Sequence, residues 1–340
     1  MEKIPTIKEI AKRLKISAST VSRALHGHPS IGLVTTMRVK KVANELNYEP
    51  NQTAIFFKRR KTLTIGVILP DLSDAFFSSA LSGIEEYASK KNYNVFVGQS
   101  MENADKEKRI LETMKNHRVD GIIISISKNT TDYEVFKQLK RYNIPIVFFD
   151  RRPDMEDIHY SACNLQLGML QAIDHLIQKG HRNIGFINGP SQLLASKERL
   201  DAYKEGLNKH QISINTDLMV SSDLSAEQNG YAMRKLLSLT QKPTAIITFN
   251  DYVARDAIKL VKTFNMVVNS DISFVSFANA PIWSFMDTAP LASIEQFPQK
   301  QGIKASEILF KLFDDSIEGM PLDPVFHQVV FDSSMVSHVA

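Results

Sequence analysis

TIKEIAKRLKISASTVSRALHG, residues 6–27, decides how the chain begins. Thr6 followed by Glu9 has capping-box spacing, in which two amide groups at a helix start are satisfied reciprocally. Ile7, Ile10, Ala11 and Leu14 then form an apolar stripe at helical period. Lys15 and Ile16 make a turn, and Ser17 is a good N-cap for a second helix running to about Leu25. Val21, Ala24 and Leu25 are its core side; Ala18, Ser19, Ser22 and Arg23 lie toward its free side, and Gly27 ends it. Two short helices with so tight a turn are the helix-turn-helix arrangement, whose second helix enters the major groove of DNA. Small residues on the free side permit close approach to a duplex, and Arg23 reaches a guanine edge or a phosphate. A third helix over 33–46 offers Met37, Val39, Val42, Ala43 and Leu46 for a small core.

Charge points the same way. Residues 1–61 hold 13 Lys and Arg against 4 Asp and Glu, whereas the other 279 hold 28 against 33. The whole-chain charge of +4 therefore hides a basic head on a mildly acidic body, the footprint of a polyanion partner. At 340 residues, 43% hydrophobic and 23% charged, the chain has room for a headpiece and one or two further lobes with a sizeable core. A single cysteine, Cys163, excludes an internal disulfide framework and a multi-cysteine zinc site. MEKIPTIKEI has no apolar signal core and no apolar run approaches the length of a membrane span, so a cytoplasmic protein without a membrane partner is expected.

Between head and body lies YEPNQTAIFFKRRK, residues 48–61. Pro50 breaks the third helix, and Asn51 is placed to cap a brief fourth one over 52–57. That helix is too short to be stable alone, since nucleation costs more than one turn returns. It is expected to order on binding, paired with the same segment of a second subunit.

From Thr62 the texture changes. Apolar strands are predicted at 63–70, 94–99, 119–127, 144–150, 183–189, 244–250 and 272–278. Helices are predicted over 76–90, 105–117, 133–141, 165–179, 199–209, 227–239 and 251–261. Apolar strands alternating with helices indicate parallel sheet covered on both faces, here in two α/β lobes, with ligands at the carboxyl ends of the strands. No Walker loop, nucleophile elbow, zinc-protease motif or dinucleotide fingerprint is present, so no catalytic residues, no cofactor and no metal are expected. His181 reads as structural, Cys163 as a small buried hydrophobe, and Asp71 with Asp74 lacks the proton donor a catalytic pair would need. Trp283 reads equally as a stacking platform or as core.

IKEIAKRLKISASTVSRALHG, LNYEPNQTAIFF, TIGVILPDLSDAFF, HLIQKGHRNIGFINGP and AIITFNDYVARDAI occur in the order of the lactose-repressor/galactose-repressor family of bacterial transcription regulators, which the chain resembles over essentially its whole length. The resemblance implies a helix-turn-helix headpiece over 1–48, a hinge over 49–61 and an effector-binding and dimerisation domain over 62–340. That domain is a two-lobe α/β body of the periplasmic-binding-protein type with parallel sheets. Its N-lobe takes in about 62–161 and 290–322 and its C-lobe about 162–289 and 323–340, because the C-terminal strands are exchanged. It implies a ligand-responsive repressor, a homodimer on a near-palindromic operator in double-stranded DNA, with a small carbohydrate-like effector in the cleft. A dimer is favoured over a tetramer because no leucine-heptad tail follows FDSSMVSHVA. A solute-binding protein and a cleft enzyme acting on a sugar are the alternatives; the headpiece and the missing catalytic set count against them.

The DNA-binding residues implied are Thr6, Ser17, Ala18, Ser19, Thr20, Ser22 and Arg23 in the headpiece, with Asn51, Ala54, Ile55, Phe57 and Lys58 in the hinge. Phe57 aligns with a leucine that in the family wedges between base pairs. The usual Ala-Arg-Ser-Leu has become Ala54, Ile55, Phe56, Phe57, and positive charge returns at Lys58 to Lys61. The effector-binding residues implied are Asp74, Phe76, Phe77, Asp150, Arg199, Asn250, Ala278 and Asn279, with one of the two phenylalanines stacking on an apolar ligand face. The sequence departs from the family at several places. Asp74 and Ala75 replace the usual Asn and Pro, Ala278 stands where a hydroxyl-accepting aspartate is usual, and Cys163 stands where an aspartate often precedes the asparagine. Losing these acceptors while keeping Arg199 makes the pocket less anionic and changes what it selects. A sugar or polyol, an acidic sugar derivative, a sugar phosphate, and a different ligand or none all remain open.

Overall fold

A computed structural model describes residues 5–49, 61–317 and 325–338. The chain divides into two compact units, Met1–Thr62 and Leu63–Ala340.

Among its described residues the first unit holds the helices α1 (Ile7–Leu14), α2 (Ala18–Leu25) and α3 (Leu33–Glu45). The Thr6 N–H donates to Glu9 Oε2 at 2.9 Å, as the capping spacing predicts. Lys15 takes a left-handed turn (φ 53°), and the Thr20 N–H donates to Ser17 Oγ at 3.0 Å to start α2. Ile10, Ala11, Val21, Ala24, Val39, Val42 and Ala43 form the core. Met37 does not join them, being 63% exposed beside exposed Leu33 and Val34. Val39, Val42, Ala43 and Leu46 share one helical stripe, and a residue two positions before Val39 falls on the opposite side of the helix.

The second unit holds two six-stranded sheets. The N-lobe sheet runs β11–β5–β4–β3–β1–β2, from β1 (Thr64–Leu69), β2 (Asn94–Gln99), β3 (Gly121–Ile124), β4 (Ile146–Phe149), β5 (His159–Asn164) and β11 (Gln328–Asp332). The C-lobe sheet runs β12–β10–β9–β8–β6–β7, from β6 (Ile184–Asn188), β7 (Met219–Ser221), β8 (Ala245–Thr248), β9 (Ser273–Ala278), β10 (Ala292–Glu295) and β12 (Ser334–Ser337). All neighbours pair in parallel except β12, which runs antiparallel to β10. β3, β6 and β8 are buried along their whole length, which is why they read as continuous apolar runs.

The helices of this unit are α4 (Ala75–Lys90), α5 (Ala104–Asn116), α6 (Glu134–Arg141), α7 (Leu165–Gln178), α8 (Leu194–Lys209), α9 (Ala226–Leu237), α10 (Asp251–Thr263) and α11 (Pro298–Ile317). Helix α8 begins well before the expected residue 199. Leu193 at its N-cap makes no side-chain cap, so the sequence carries no start signal there. The chain passes from the first sheet to the second between Asn164 and Leu165, returns between Glu295 and Pro298, and passes over again at Ser333. Each passage falls later than expected, because β5 and β10 run on to Asn164 and Glu295 and β11 starts only at Gln328. Helix α11 packs along α4. A β-carbon on Gly83 or Gly302 would collide with the carbonyl oxygen of Gln299 or Ala80, so the two helices meet backbone to backbone.

Candidate functional site

The carboxyl ends of both sets of strands face each other across the interlobe cleft, and the charged residues gather there. On the C-lobe side, α8 carries Arg199, which is 3% exposed. Its guanidinium lies 4.3 Å from the centre of the Phe249 ring and 4.5 Å from that of Phe277. Nη1 donates to the Ala195 carbonyl at 3.3 Å and Nη2 to Gln296 Oε1 at 3.5 Å. Nε, also buried, has no hydrogen-bond partner among the described residues, nor has the buried Ser196 Oγ one turn earlier. Burial lowers the Arg199 pKa to about 10, with Asp150 and Glu198 pulling the other way. No carboxylate forms an ion pair with it among the described residues.

Facing it from the N-lobe, Asp150 follows β4 in a left-handed conformation (φ 53°). Its N–H is shared between the Ser161 carbonyl and Gln301 Oε1, at 3.1 and 3.2 Å. Burial raises its carboxyl pKa against the pull of Arg151 and Arg199. Arg151 is buried too; its Nη1 lies 2.7 Å from Glu102 Oε1, and its guanidinium 5.3 Å from the Phe77 ring centre. Asp74 caps α4, accepting from the Phe76 N–H at 2.9 Å. Burial pushes its carboxyl up to about 6, helped by Asp150 and Asp71 and opposed by that hydrogen bond and Arg151.

The other expected residues are placed differently. Phe76 and Phe77 belong to the N-lobe core, 8% and 2% exposed, rather than lying open for a ligand to stack on. They meet edge to face at 5.4 Å, and the neighbour of Phe77 toward the cleft is Arg151. Asn250 caps α10, its Oδ1 accepting from the Val253 N–H at 3.0 Å, so that acceptor is already engaged. Next to it, fully buried Asp251 accepts from the hydroxyls of Ser276 and Ser293 and from the Ala280 N–H. Ala278 and Asn279 are both left-handed, with φ 96° and 53°. Asn279 Nδ2 donates to Glu295 Oε2 at 2.7 Å. Ala278, at the tip of C-lobe strand β9, packs against the N-lobe core cluster. Its methyl is thus a half-buried lobe-to-lobe contact, where a carboxylate would be set against apolar side chains.

A cavity of about 190 Å³ lies at the end of the cleft nearest the crossovers. Its walls include Asp150, Arg152, Cys163, Asn164, Ala195 and Glu198; of the other expected effector residues, Asp74, Phe76, Phe77, Arg199, Asn250, Ala278 and Asn279 do not line it. Burial pushes the Cys163 thiol up to about 12, which suits an inert buried side chain. Trp283 is core, 5% exposed within a C-lobe apolar cluster. His181 Nδ1 meets Thr244 Oγ1 at 3.0 Å, joining two C-lobe segments. Among the described residues, no group of three or more His, Cys, Asp or Glu is arranged to hold a metal ion. No helix among them is long and apolar enough to cross a membrane.

Sequence reasoning missed Arg151, Arg152, Glu198, Phe249 and Gln296. A signal for the first two was present: two arginines directly after the apolar strand IVFFD stand where a parallel strand delivers residues to a cleft. Phe249 and Gln296 carried none, because their roles come from strands brought together only by the fold.

In the headpiece, α2 holds the residues expected at DNA. Ser17 Oγ is crowded by Ser19 Oγ at 2.7 Å, Thr20 Oγ1 at 2.8 Å and the Thr20 amide, so it serves first as the helix cap. Ser19 and Arg23 are exposed, as is Thr6 at the start of α1, while Ala18, Thr20 and Ser22 are half-buried. Arg23 makes no ion pair among the described residues. Asn51, Ala54, Ile55, Phe57 and Lys58 lie outside the described residues.

A helix-turn-helix unit followed by a two-lobe α/β body with parallel sheets and a polar cleft defines a class of DNA-binding, ligand-responsive transcription regulators. Residues 6–51 match the family described as bacterial regulatory proteins, lacI family, and residues 62–320 that described as periplasmic binding proteins and sugar binding domain of LacI family. The chain belongs to the LacI family. It is 30% identical over 311 residues to the HTH-type transcriptional repressor PurR of Aliivibrio salmonicida (strain LFI1238), covering 91% of this chain and 92% of that one. It is 31% identical over 310 residues to the HTH-type transcriptional repressor CytR of Escherichia coli (strain K12), covering 91% and 89%. Among solved structures, the lac repressor dimer bound to operator and the anti-inducer ONPF superposes with a TM-score of 0.82. It is 23% identical, with 98% of each chain covered, and carries the likeness of fold alone.

Proposed function

We propose that this regulator is a repressor that binds a near-palindromic operator as a homodimer and is controlled by a small carbohydrate-like effector in the interlobe cleft. In this reading it works in the cytoplasm and performs no reaction on its ligand. The DNA half is supported by the basic head and by α2, whose exposed Ser19 and Arg23 leave base and phosphate contacts free to form. Repressor relatives of nearly the same length support the direction of control.

The observation that carries the effector half is the pairing of Arg199 with Asp150. Arg199 is buried with an unpartnered Nε, its charge is felt by Asp150, and Asp150 forms no ion pair among the described residues and lines the cavity at the crossover end of the cleft. A ligand hydroxyl satisfies both, accepting from Arg199 while it or its neighbour donates to Asp150. An anionic group beside Asp150 would push the raised carboxyl higher still, whereas Arg151 and Arg152 in the same wall would draw such a group in; a neutral polyhydroxylated ligand meets both signs of charge and is the reading put to the test. Because binding at two sites on one molecule is linked reciprocally, such an effector alters operator affinity as much as the operator alters its own.

Two measurements test this. Affinity for mixed DNA fragments should fall steeply with salt, since phosphate contacts release counterions; a flat dependence would return the solute-binding alternative. A thermal-shift screen against neutral sugars, uronic and aldonic acids and sugar phosphates should raise the melting temperature with a neutral sugar or polyol. A hit confined to the acids or phosphates would overturn the neutral assignment.

A further inference from the structure

The two lobes are tied to each other by the chain's own side chains on both sides of the cleft. Near the crossovers, the segment after β4 meets the first turns of α8. Arg152 Nη2 lies 3.0 Å from Glu198 Oε1, and Lys197 Nζ lies 3.4 Å from Asp154 Oδ2. On the far side, the Lys128 ammonium donates to the Asp223 carbonyl, and the Ala75 N–H donates to the Tyr252 hydroxyl at 3.2 Å.

These four contacts are not equivalent. The side chains of Lys197 and Asp154 are 56% and 62% exposed, so water and salt screen that pair to little effect. Those of Arg152 and Glu198 are 21% and 36% exposed, and the Arg152 guanidinium also lies 4.4 Å from the centre of the Tyr160 ring. This pair therefore has a held cation and a shielded bond. It is also the only one of the four whose two residues both line the cavity that has Asp150 in its wall. The lobes themselves are joined by three crossovers, after β5, β10 and β11, so their freedom of movement is rotation about that side.

We propose that Arg152 and Glu198 form a charge gate that holds the lobes together and decides what reaches Asp150 from the crossover side. This rests on the reading of the cleft as the effector site. A ligand arriving there parts the pair and must replace the hydrogen bonds each partner loses. A polyhydroxylated ligand does this with one hydroxyl accepting from Arg152 and another donating to Glu198, whereas an apolar ligand strands two charges. Occupancy of the cavity is thereby coupled to the separation of the lobes, because the same two side chains serve both.

The test is a spin-label distance measurement on the full-length protein without DNA or effector, with labels at Asp105→Cys and Glu227→Cys in a Cys163→Ser background. Glu198→Arg and Arg152→Glu, each alone, should lengthen and broaden the interlobe distance, and the double swap should bring it back. Glu198→Gln and Arg152→Gln should lengthen it less, and keep the test available if a reversal fails to fold. Unchanged distances in every single variant, or a double swap that stays long, would overturn the gate. The thermal-shift screen of the unaltered protein is read separately. If no sugar, sugar acid or sugar phosphate stabilises it, the effector-site reading falls and the distance result stands.

Discussion

Arg199 and Phe249 are in contact, the guanidinium 4.3 Å from the ring centre, and Phe277 lies at nearly the same distance. Two rings shield the cation from water while no carboxylate pairs with it among the described residues. The fold thus keeps an expensive group in place that packing alone does not require.

Arg199→Met should therefore abolish the response to effector while leaving the fold as stable as before, or more stable by about 1 kcal/mol, as when buried charges give way to apolar side chains. Operator affinity without effector should be unchanged. Thermal melts, with operator titrations in the presence and absence of effector, check this. A large drop in melting temperature would mean that Arg199 is a structural cation.

Arg23→Ala should weaken operator binding by about 1–3 kcal/mol if the side chain reads a guanine edge. If it meets a phosphate, the loss should be similar across sequences and the salt dependence should fall by about one counterion. Arg23 is exposed and makes no ion pair among the described residues, so the headpiece should melt as before. Equal loss of effector binding would indicate misfolding instead.

Asp74 yields a pH prediction. Its folded pKa of about 6 lies above the ordinary 3.8, chiefly through burial. Between those values the folded protein holds a proton that the unfolded chain has released. Stability is consequently lost as pH rises through this window and stays lower above it. Asp74→Asn keeps the helix cap and cannot ionise, so it should be the more stable protein above about pH 6, with the advantage vanishing below about pH 4. The gap has an upper bound of about 3 kcal/mol, one unit being about 1.4 kcal/mol. Melting temperatures of both proteins across pH 4–8 decide it, and parallel curves would remove Asp74 from the titrating groups.

How much of this was legible in the sequence depended on whether the signal was local. The caps at Thr6 and Ser17 and the continuous apolar strands, such as GIII at 121–124, announce themselves over a few residues and appear where expected. Met37 misled because an apolar residue on a short helix looks like core until the register of Val39, Val42 and Ala43 is fixed. β5 and β10 escaped because HYSACN and ASIE mix small and polar residues and are made strands by their neighbours in the sheet. The cleft was legible as strand ends, hence Asp150 and Asn250. Its arrangement was not, since Phe249 meets Arg199 only when β8 and α8 are brought together, and the loss of aspartate at Ala278 makes sense only once that methyl is seen against the opposite lobe.

The glycine contact between α4 and α11 has a mechanical meaning. Helix α11 leaves the crossover beside Gln296, which hydrogen-bonds Arg199, and carries Gln301, which hydrogen-bonds the Asp150 N–H. Its 20 residues span about 30 Å, and over its first two turns it is pressed backbone to backbone on α4, whose first turn starts from Asp74. Two fused rods that both begin at the cleft act as one stiff lever. A tilt imposed at the ligand end should be carried by both helices toward the other end of the N-lobe, whereas a β-carbon wedged in at Gly83 or Gly302 would force them apart and give that lever a joint.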